Sequence, residues 1–244
     1  MSGHSKWHNI QKTKGAADAK RSQAFTKIAR EIIVAVKEGG SGDINNNSRL
    51  ATVIAKAKAV NMPNDNIKRT IEKGLGAGNS DNFEAVTYEG YGPGGVAVIV
   101  EALTDNRQRT APEVRHYFDK CNGNLGAIGC VSWSFDRKGI IVIDNDDGEL
   151  EDDTVMMDAL EAGAEDFQSE GTALETTTGP DAFNDVVKAL EAKGYSFINA
   201  DIEMVPQTYI KLESESDQKN MERLIDFLEE NEDVQNVWHN WDND

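Results

Sequence analysis

The side chains best suited to chemistry in this sequence are cations, and the chemistry they suit is the gripping of phosphate. Lys6, Lys12 and Lys14 surround Trp7 near the N-terminus. Lysine meets a phosphate as a point charge, arginine adds paired hydrogen bonds, and a tryptophan among lysines can stack on an exposed base or dock on its own protein. Further along come Lys20, Arg21, Lys27 and Arg30, then Lys56 and Lys58, then Lys68, Arg69 and Lys73. Arg107, Arg109 and Arg115 form a second basic group beside Asn106, within acidic sequence. They suit either a second contact surface or internal pairing with carboxylates. Tyr91 lies in the glycine-rich run Tyr88–Gly95, where it can stack on a base. Nucleotide-binding glycine runs open a helix, but this one opens a strand, so a tight inter-strand loop is the simpler reading than a phosphate cradle.

The usual signs of catalysis are missing. The sequence has no G-x-S-x-G, Walker or H-E-x-x-H pattern. His4 and His8 have no carboxylate partner for a metal site. Asp144, Asp146 and Asp147 fit a Mg²⁺ site on paper, but beside Gly148 they read as turn residues. Cys121 and Cys130 form no C-x-x-C pair and read as reduced packing thiols. The expectation is a chain without catalytic, cofactor or metal sites and without a small-molecule substrate.

The charge layout sharpens the phosphate reading. The formal net charge is −18 over 244 residues. Yet residues 1–80 hold ten Lys and four Arg against three Asp and three Glu, a net of +8. Residues 81–244 hold 11 basic and 37 acidic residues, a net of −26. A basic end can neutralise phosphates and release counterions, while an acidic remainder is held away from the same backbone. No apolar run approaches the roughly 20 residues of a membrane span, and no apolar stretch follows the N-terminal cations as in a secretory signal. A cytoplasmic protein with no membrane partner is expected.

The elements that must position these residues follow from periodicity. Phe25, Ile28, Ile32 and Val36 recur at helical spacing until Gly39 and Gly40. Asn47 or Ser48 caps a second helix carrying Leu50, Val53, Ile54 and Ala57. A third follows Pro63 and is broken by Gly74, Gly76 and Gly78. Strands are expected at 84–89 and 96–103, then a helix with Pro112 in its first turn. A hairpin is expected at 131–143, turning at Asp136–Lys138. Next come a helix at 152–162, two short strands, a helix at 181–192 and strands at 197–205 and 208–212. A helix around Met221–Leu228 and a strand at 234–238 close the pattern. The fold class expected is α+β: an N-terminal three-helix bundle plus two α/β sandwich domains, one inserted into the other. The boundaries are 1–80 for the basic helical domain with its arm, 81–130 with 206–244 for a discontinuous domain, and 131–205 for a ferredoxin-like insert.

Five separated segments carry a resemblance. They are Gly3–Trp7 with Asp18–Arg21, Asn61–Ile67, Tyr88–Gly95, Thr104–Arg107 with Arg109-Thr110, and Asp233–Gln235 with His239-Asn240. Together they resemble the YebC/PmpR family. The resemblance implies three domains, one helical and two α/β. It also implies a regulator of gene expression, since members are usually described as DNA-binding transcriptional regulators. Related proteins, among them the mitochondrial translational activator of cytochrome c oxidase, act in translation at the ribosome. The expected partner is therefore nucleic acid, either DNA or ribosomal RNA, with the ribosome as the alternative setting. A third reading is an acidic scaffold for a basic protein.

Overall fold

Apolar side chains at spacings of three and four build the first part of the chain. The structure, a computed structural model, describes residues 17–76, 82–169 and 171–242. Helix α1 (Ala17–Gly39) buries Ile28, Ile32, Ala35 and Val36 against α2 (Ser48–Ala59) and α3 (Asn64–Leu75). Leu50, Val53, Ile54, Ala57 and Ile67 complete this core. Asn47 is the cap of α2. Its Oδ1 accepts from the Leu50 N–H at 3.0 Å, and its amide donates to the Ala35 and Ser41 carbonyls at 2.8 and 3.0 Å. One buried side chain thus starts α2 and fixes its approach to α1. Gly74 does not end α3 but lies inside it, where a Cβ would come within 3.0 Å of Val36 Cβ. The glycine is there for close packing, and the helix stops just before Gly76.

The period then changes to two. Strand β1 (Glu84–Tyr91) pairs antiparallel with β2 (Ala97–Thr104), with Glu84 opposite Thr104 and Tyr91 opposite Ala97. Helix α4 runs over Arg107–Lys120, followed by β3 (Asn124–Leu125). Pro112 falls in the second turn of α4, not the first, because Asn106 caps the helix by accepting the Arg109 N–H at 3.2 Å. Proline has no N–H to offer the Gln108 carbonyl, and Gln108 is exposed.

The expected hairpin over 131–143 is instead one strand, β4 (Phe135–Asp144). Residues Asp136–Lys138 have ladder partners rather than a turn. Helix α5 (Asp152–Ala162), strands β5 (Asp166–Ser169) and β6 (Ala173–Thr178), helix α6 (Phe183–Ala192) and strand β7 (Phe197–Pro206) follow. Strand β7 is long enough to pair with β4 from Phe135↔Pro206 to Ile143↔Phe197, and this keeps β4 straight through Gly139. The order β5-β6-β4-β7 with β-α-β-β-α-β connectivity is the ferredoxin-like arrangement. Ile141, Ile143, Leu174, Val155, Val186 and Leu190 fill the space between sheet and helices.

The chain then returns through β8 (Ile210–Lys211), α7 (Glu215–Glu230), β9 (Val234–His239) and β10 (Trp241–Asp242). Strand β9 joins the first sheet, giving the order β3-β1-β2-β9, while β8 shrinks to a two-residue parallel pair with β10. Helices α4 and α7 cover one face of that sheet through Val114, Phe118, Met221, Leu224 and Leu228. Among the described residues there are two compact units. One comprises 17–134 and 208–242, so the helical part and the first sheet belong together, and the other is 135–207. No described helix is long and apolar enough to cross a membrane.

Candidate nucleic-acid interface

Part of the cationic face of α1 turns inward. Gln23, Lys27 and Arg30 lie along one side of the helix and meet the C-terminal end of α7. Gln23 Nε2 and Lys27 Nζ each donate to the Glu229 carbonyl at 2.7 Å. Arg30 donates to the Glu232 carbonyl and reaches the Glu232 carboxylate at 3.2 Å. The last carbonyls of a helix have no intrahelical partner and carry its negative end, so cations there satisfy both. Burial lowers the Lys27 amine's pKa, an effect only partly offset by the Glu229 charge. Lys27 and Arg30 therefore dock the helical part onto the first sheet domain.

Arg30 also reaches a buried carboxylate. Asp233, at the entry to β9, is 3% exposed. Its Oδ1 accepts from Arg30 at 2.7 Å, and Arg109 bridges both oxygens at 2.7 and 3.0 Å. The hydroxyls of Thr110 and Thr104 donate to Oδ2 at 2.7 and 3.2 Å. Burial alone would raise this carboxyl's pKa, but Thr110, Arg109 and Arg30 hold it below its ordinary value. Beside it lies a cleft of about 440 Å³ lined by Arg30, Phe83, Asp105, Arg109, Glu113 and Glu232, among others. Both arginines are already engaged by carboxylates. Arg107 stands 3.5 Å from Glu84, and Arg115 is exposed on α4.

Further cations that face solvent lie on α2 and α3. Lys58, in the last turn of α2, and Lys68 and Arg69, on the outer side of α3, are exposed and carry no ion pair among the described residues. Lys73 is exposed on the same side, and Lys56 pairs with Glu31 at 3.5 Å. Lys6, Trp7, Lys12 and Lys14 lie outside the described residues, as do the side chains of Lys20 and Arg21.

The glycine-rich run forms the β1–β2 connection and packs inward. A Cβ on Gly92 would come within 2.7 Å of Met221 Sδ, and one on Gly94 within 2.3 Å of Leu212 Cδ2. At Gly92 and Gly94 the loop is seated on apolar side chains. Tyr91, at its start, is 40% exposed and donates its hydroxyl to the Cys130 carbonyl at 3.1 Å. Among the described residues no group of three or more His, Cys, Asp or Glu is placed to hold a metal. Asp144 and Asp147 each accept a backbone N–H two residues on at 3.1 Å, which is their role as turn residues.

Comparison with known proteins decides the relationship. Residues 5–77 match the TACO1/YebC protein N-terminal domain, and residues 83–241 match the TACO1/YebC second and third domain. The chain belongs to the TACO1/YebC family. A relative in Ruminiclostridium cellulolyticum is 55% identical across all of this chain and 98% of its own length. One in Acetivibrio thermocellus is 56% identical over 99% of both chains. Each is named "Probable transcriptional regulatory protein". The crystal structure of a conserved hypothetical protein from Aquifex aeolicus is similar, with a TM-score of 0.85 and 41% identity, covering 99% of this chain and 95% of that one.

Two of the segments that carried the resemblance, Thr104–Thr110 and Asp233–Gln235, meet around the Asp233 carboxylate in this TACO1/YebC chain. Sequence reasoning grouped Arg109 with Arg107 and Arg115; in the structure Arg109 shares Asp233 with Arg30 instead, while Arg107 faces Glu84. It also passed over Trp133, which is 71% exposed. A signal was available: from Cys121 to Ser134 there is no charged residue, although 28% of the chain is charged.

Proposed function

We propose that this chain is a non-enzymatic regulator of gene expression that binds nucleic acid through the exposed cations of its helical domain. The observation that carries this is the contrast within one basic domain. Lys27 and Arg30 are consumed by docking, while Lys58, Lys68 and Arg69 stand in solvent with no ion pair among the described residues. Exposed cations on short helices suit contacts to the phosphate backbone, which give affinity without sequence information. The names of the relatives support regulation of transcription, for which we take the target to be DNA. A second reading, a translation factor on ribosomal RNA, is favoured by the exposed rings of Tyr91 and Trp133, since duplex DNA offers no free base faces.

The test is sedimentation of a cleared lysate, with and without DNase, comparing the wild type with a variant carrying Glu at Lys58, Lys68 and Arg69. Co-migration with DNA that is lost on DNase treatment and lost in the variant supports the transcriptional reading. Co-migration with ribosomes that survives DNase but is lost in the variant supports translation. A variant that sediments like the wild type in every fraction sinks both.

A further inference from the structure

Three large apolar side chains at the glycine-rich run and the loop after β3 are exposed. Ile128 is 76% exposed, Trp133 71% and Tyr91 40%. They belong to β1 and to the loop that follows β3. That loop is held by one buried carboxylate. Glu89, 3% exposed, accepts the N–H groups of Gly129, Val131 and Ser132, each at 2.9 Å. Gly129 has φ +88°, a left-handed conformation that favours glycine, and it aims its N–H at Glu89 Oε1. The two rings then converge on a single acceptor. Tyr91 Oη donates to the Cys130 carbonyl at 3.1 Å and Trp133 Nε1 to the same oxygen at 3.0 Å.

This arrangement fixes the polar tips of both rings and leaves ring surface in solvent. Fixed rings lose little rotamer freedom on binding, so more of the stacking energy appears as affinity. The loop itself is uncharged. No charged residue occurs from Cys121 to Ser134, and the one nearby carboxylate on β1, Glu89, is sealed under the loop. In a chain with 37 acidic residues after position 80, this is a place where a phosphate-bearing strand meets no repulsion from the loop it touches. Exposed Asn122 and Asn124 add neutral groups able to bond base edges.

We propose that Tyr91 and Trp133 form a stacking platform for unpaired bases of folded RNA. RNA is preferred over duplex DNA because loops and bulges already display unstacked bases, whereas a duplex must be opened at a cost. The inference rests on the nucleic-acid reading given above, and names the base-contacting surface that the phosphate-contacting cations lack.

The experiment uses the full chain and fluorescence anisotropy with three labelled single strands. These are a short oligouridine, the same strand with every base removed, and the matching oligothymidine. Trp133→Ala should weaken oligouridine binding roughly 5- to 150-fold, and the abasic strand hardly at all, with an unchanged salt slope. Trp133→Phe, which keeps a ring, should restore much of the loss and shows that the loop still folds. A variant with Glu at Lys58, Lys68 and Arg69 should lose affinity for all three strands. If Trp133→Ala binds oligouridine like the wild type while the triple variant does not, the platform is wrong and the nucleic-acid reading stands. If the wild type binds no strand, both fall. Stacking does not read the sugar, so Trp133→Ala should weaken oligothymidine binding by a similar factor; a loss on duplex DNA as large as on the single strands would overturn the assignment to unpaired bases. Unchanged strand binding with loss of a co-sedimenting protein would assign the rings to a protein partner instead.

Discussion

Asp233 and Glu89 are both buried carboxylates, each 3% exposed and in the same compact unit, and the fold answers them differently. Asp233 is met by side chains from three places: Arg30 on α1, Arg109 and Thr110 on α4, and Thr104 at the end of β2. Glu89 is met by the backbone of a single loop, through the N–H groups of Gly129, Val131 and Ser132. The first arrangement joins segments about 200 residues apart in sequence (positions 30 and 233) and carries cations that depend on it. The second shapes a few consecutive residues and carries no counter-charge. Removing the first should therefore act across the unit, and removing the second should act in place.

The largest effect is expected from Asp233→Ala. Breaking a buried ion pair from one side leaves its partners uncompensated and typically costs about 3–5 kcal/mol. Arg109 is half-exposed, so water can partly replace its partner. Arg30 is only 14% exposed, but it keeps the Glu232 carbonyl and carboxylate. A value near the low end, about 3 kcal/mol, is expected from urea unfolding. Docking of α1 should loosen too, read as faster amide exchange across α1 and α7 together. A loss confined to β9 would make Asp233 as local as Glu89.

Glu89→Gln comes next. Glutamine keeps one carbonyl oxygen but sets an amide group against one of the donors, and the charge is gone. Losing one charge-assisted bond and weakening the others should cost about 1–3 kcal/mol. The comparison predicts where the change appears: exchange should speed at Gly129, Val131 and Ser132 and stay nearly unchanged in α1. Trp133 fluorescence should shift, since its indole is anchored to Cys130 in the same loop.

Acid should expose both carboxylates in turn. For Glu89, burial raises the pKa, but the N–H groups of Val131, Gly129 and Ser132 outweigh it and hold the group below its ordinary value. Asp233 is lowered likewise. A carboxyl depressed in the folded state binds its proton more weakly than in the unfolded chain. Its stabilisation is thus fully present above the ordinary range of about pH 4, and fades as pH falls through the depressed values. Urea midpoints should be flat from neutral pH to about pH 5 and fall below about pH 4. Asp233→Asn and Glu89→Gln should each flatten part of that fall; an unchanged acid limb in both would mean other carboxyls control it.

Much of the fold was legible because its signals are local. Helix α1 declares itself through Ile28, Ile32 and Val36, and α5 has the bounds its apolar face implies. Where a local signal competed with a distant partner, the partner won. Asp136–Lys138 looks like a turn, yet β7 supplies a ladder partner for each residue. The interface was less legible for the same reason. A lysine in sequence shows its charge but not its neighbour, so Lys27 and Lys68 look alike, although one caps α7 and the other faces water. Glu89 gave no sign at all, because its partners are backbone N–H groups that every residue but proline possesses.

The smallest effect on stability sharpens the comparison from outside. Replacing Lys58, Lys68 and Arg69 with Gln removes three exposed cations that pair with nothing among the described residues. Surface substitutions of this kind usually change stability by less than about 0.5 kcal/mol. Their effect on nucleic acid should be much larger. Each phosphate that is no longer neutralised lowers the dependence of log K on log salt by about 0.9 on duplex DNA or about 0.7 on a single strand. If all three cations grip phosphates, the slope should fall by roughly two to three. Lys27→Gln is the matched control in the same domain. Its amine is spent on the Glu229 carbonyl, so the salt slope should hold steady while the urea midpoint falls slightly. If Lys27→Gln lowers the slope as much as a change at Lys68, then the docking face opens when nucleic acid binds, and the division between buried and exposed cations is not the one that governs binding.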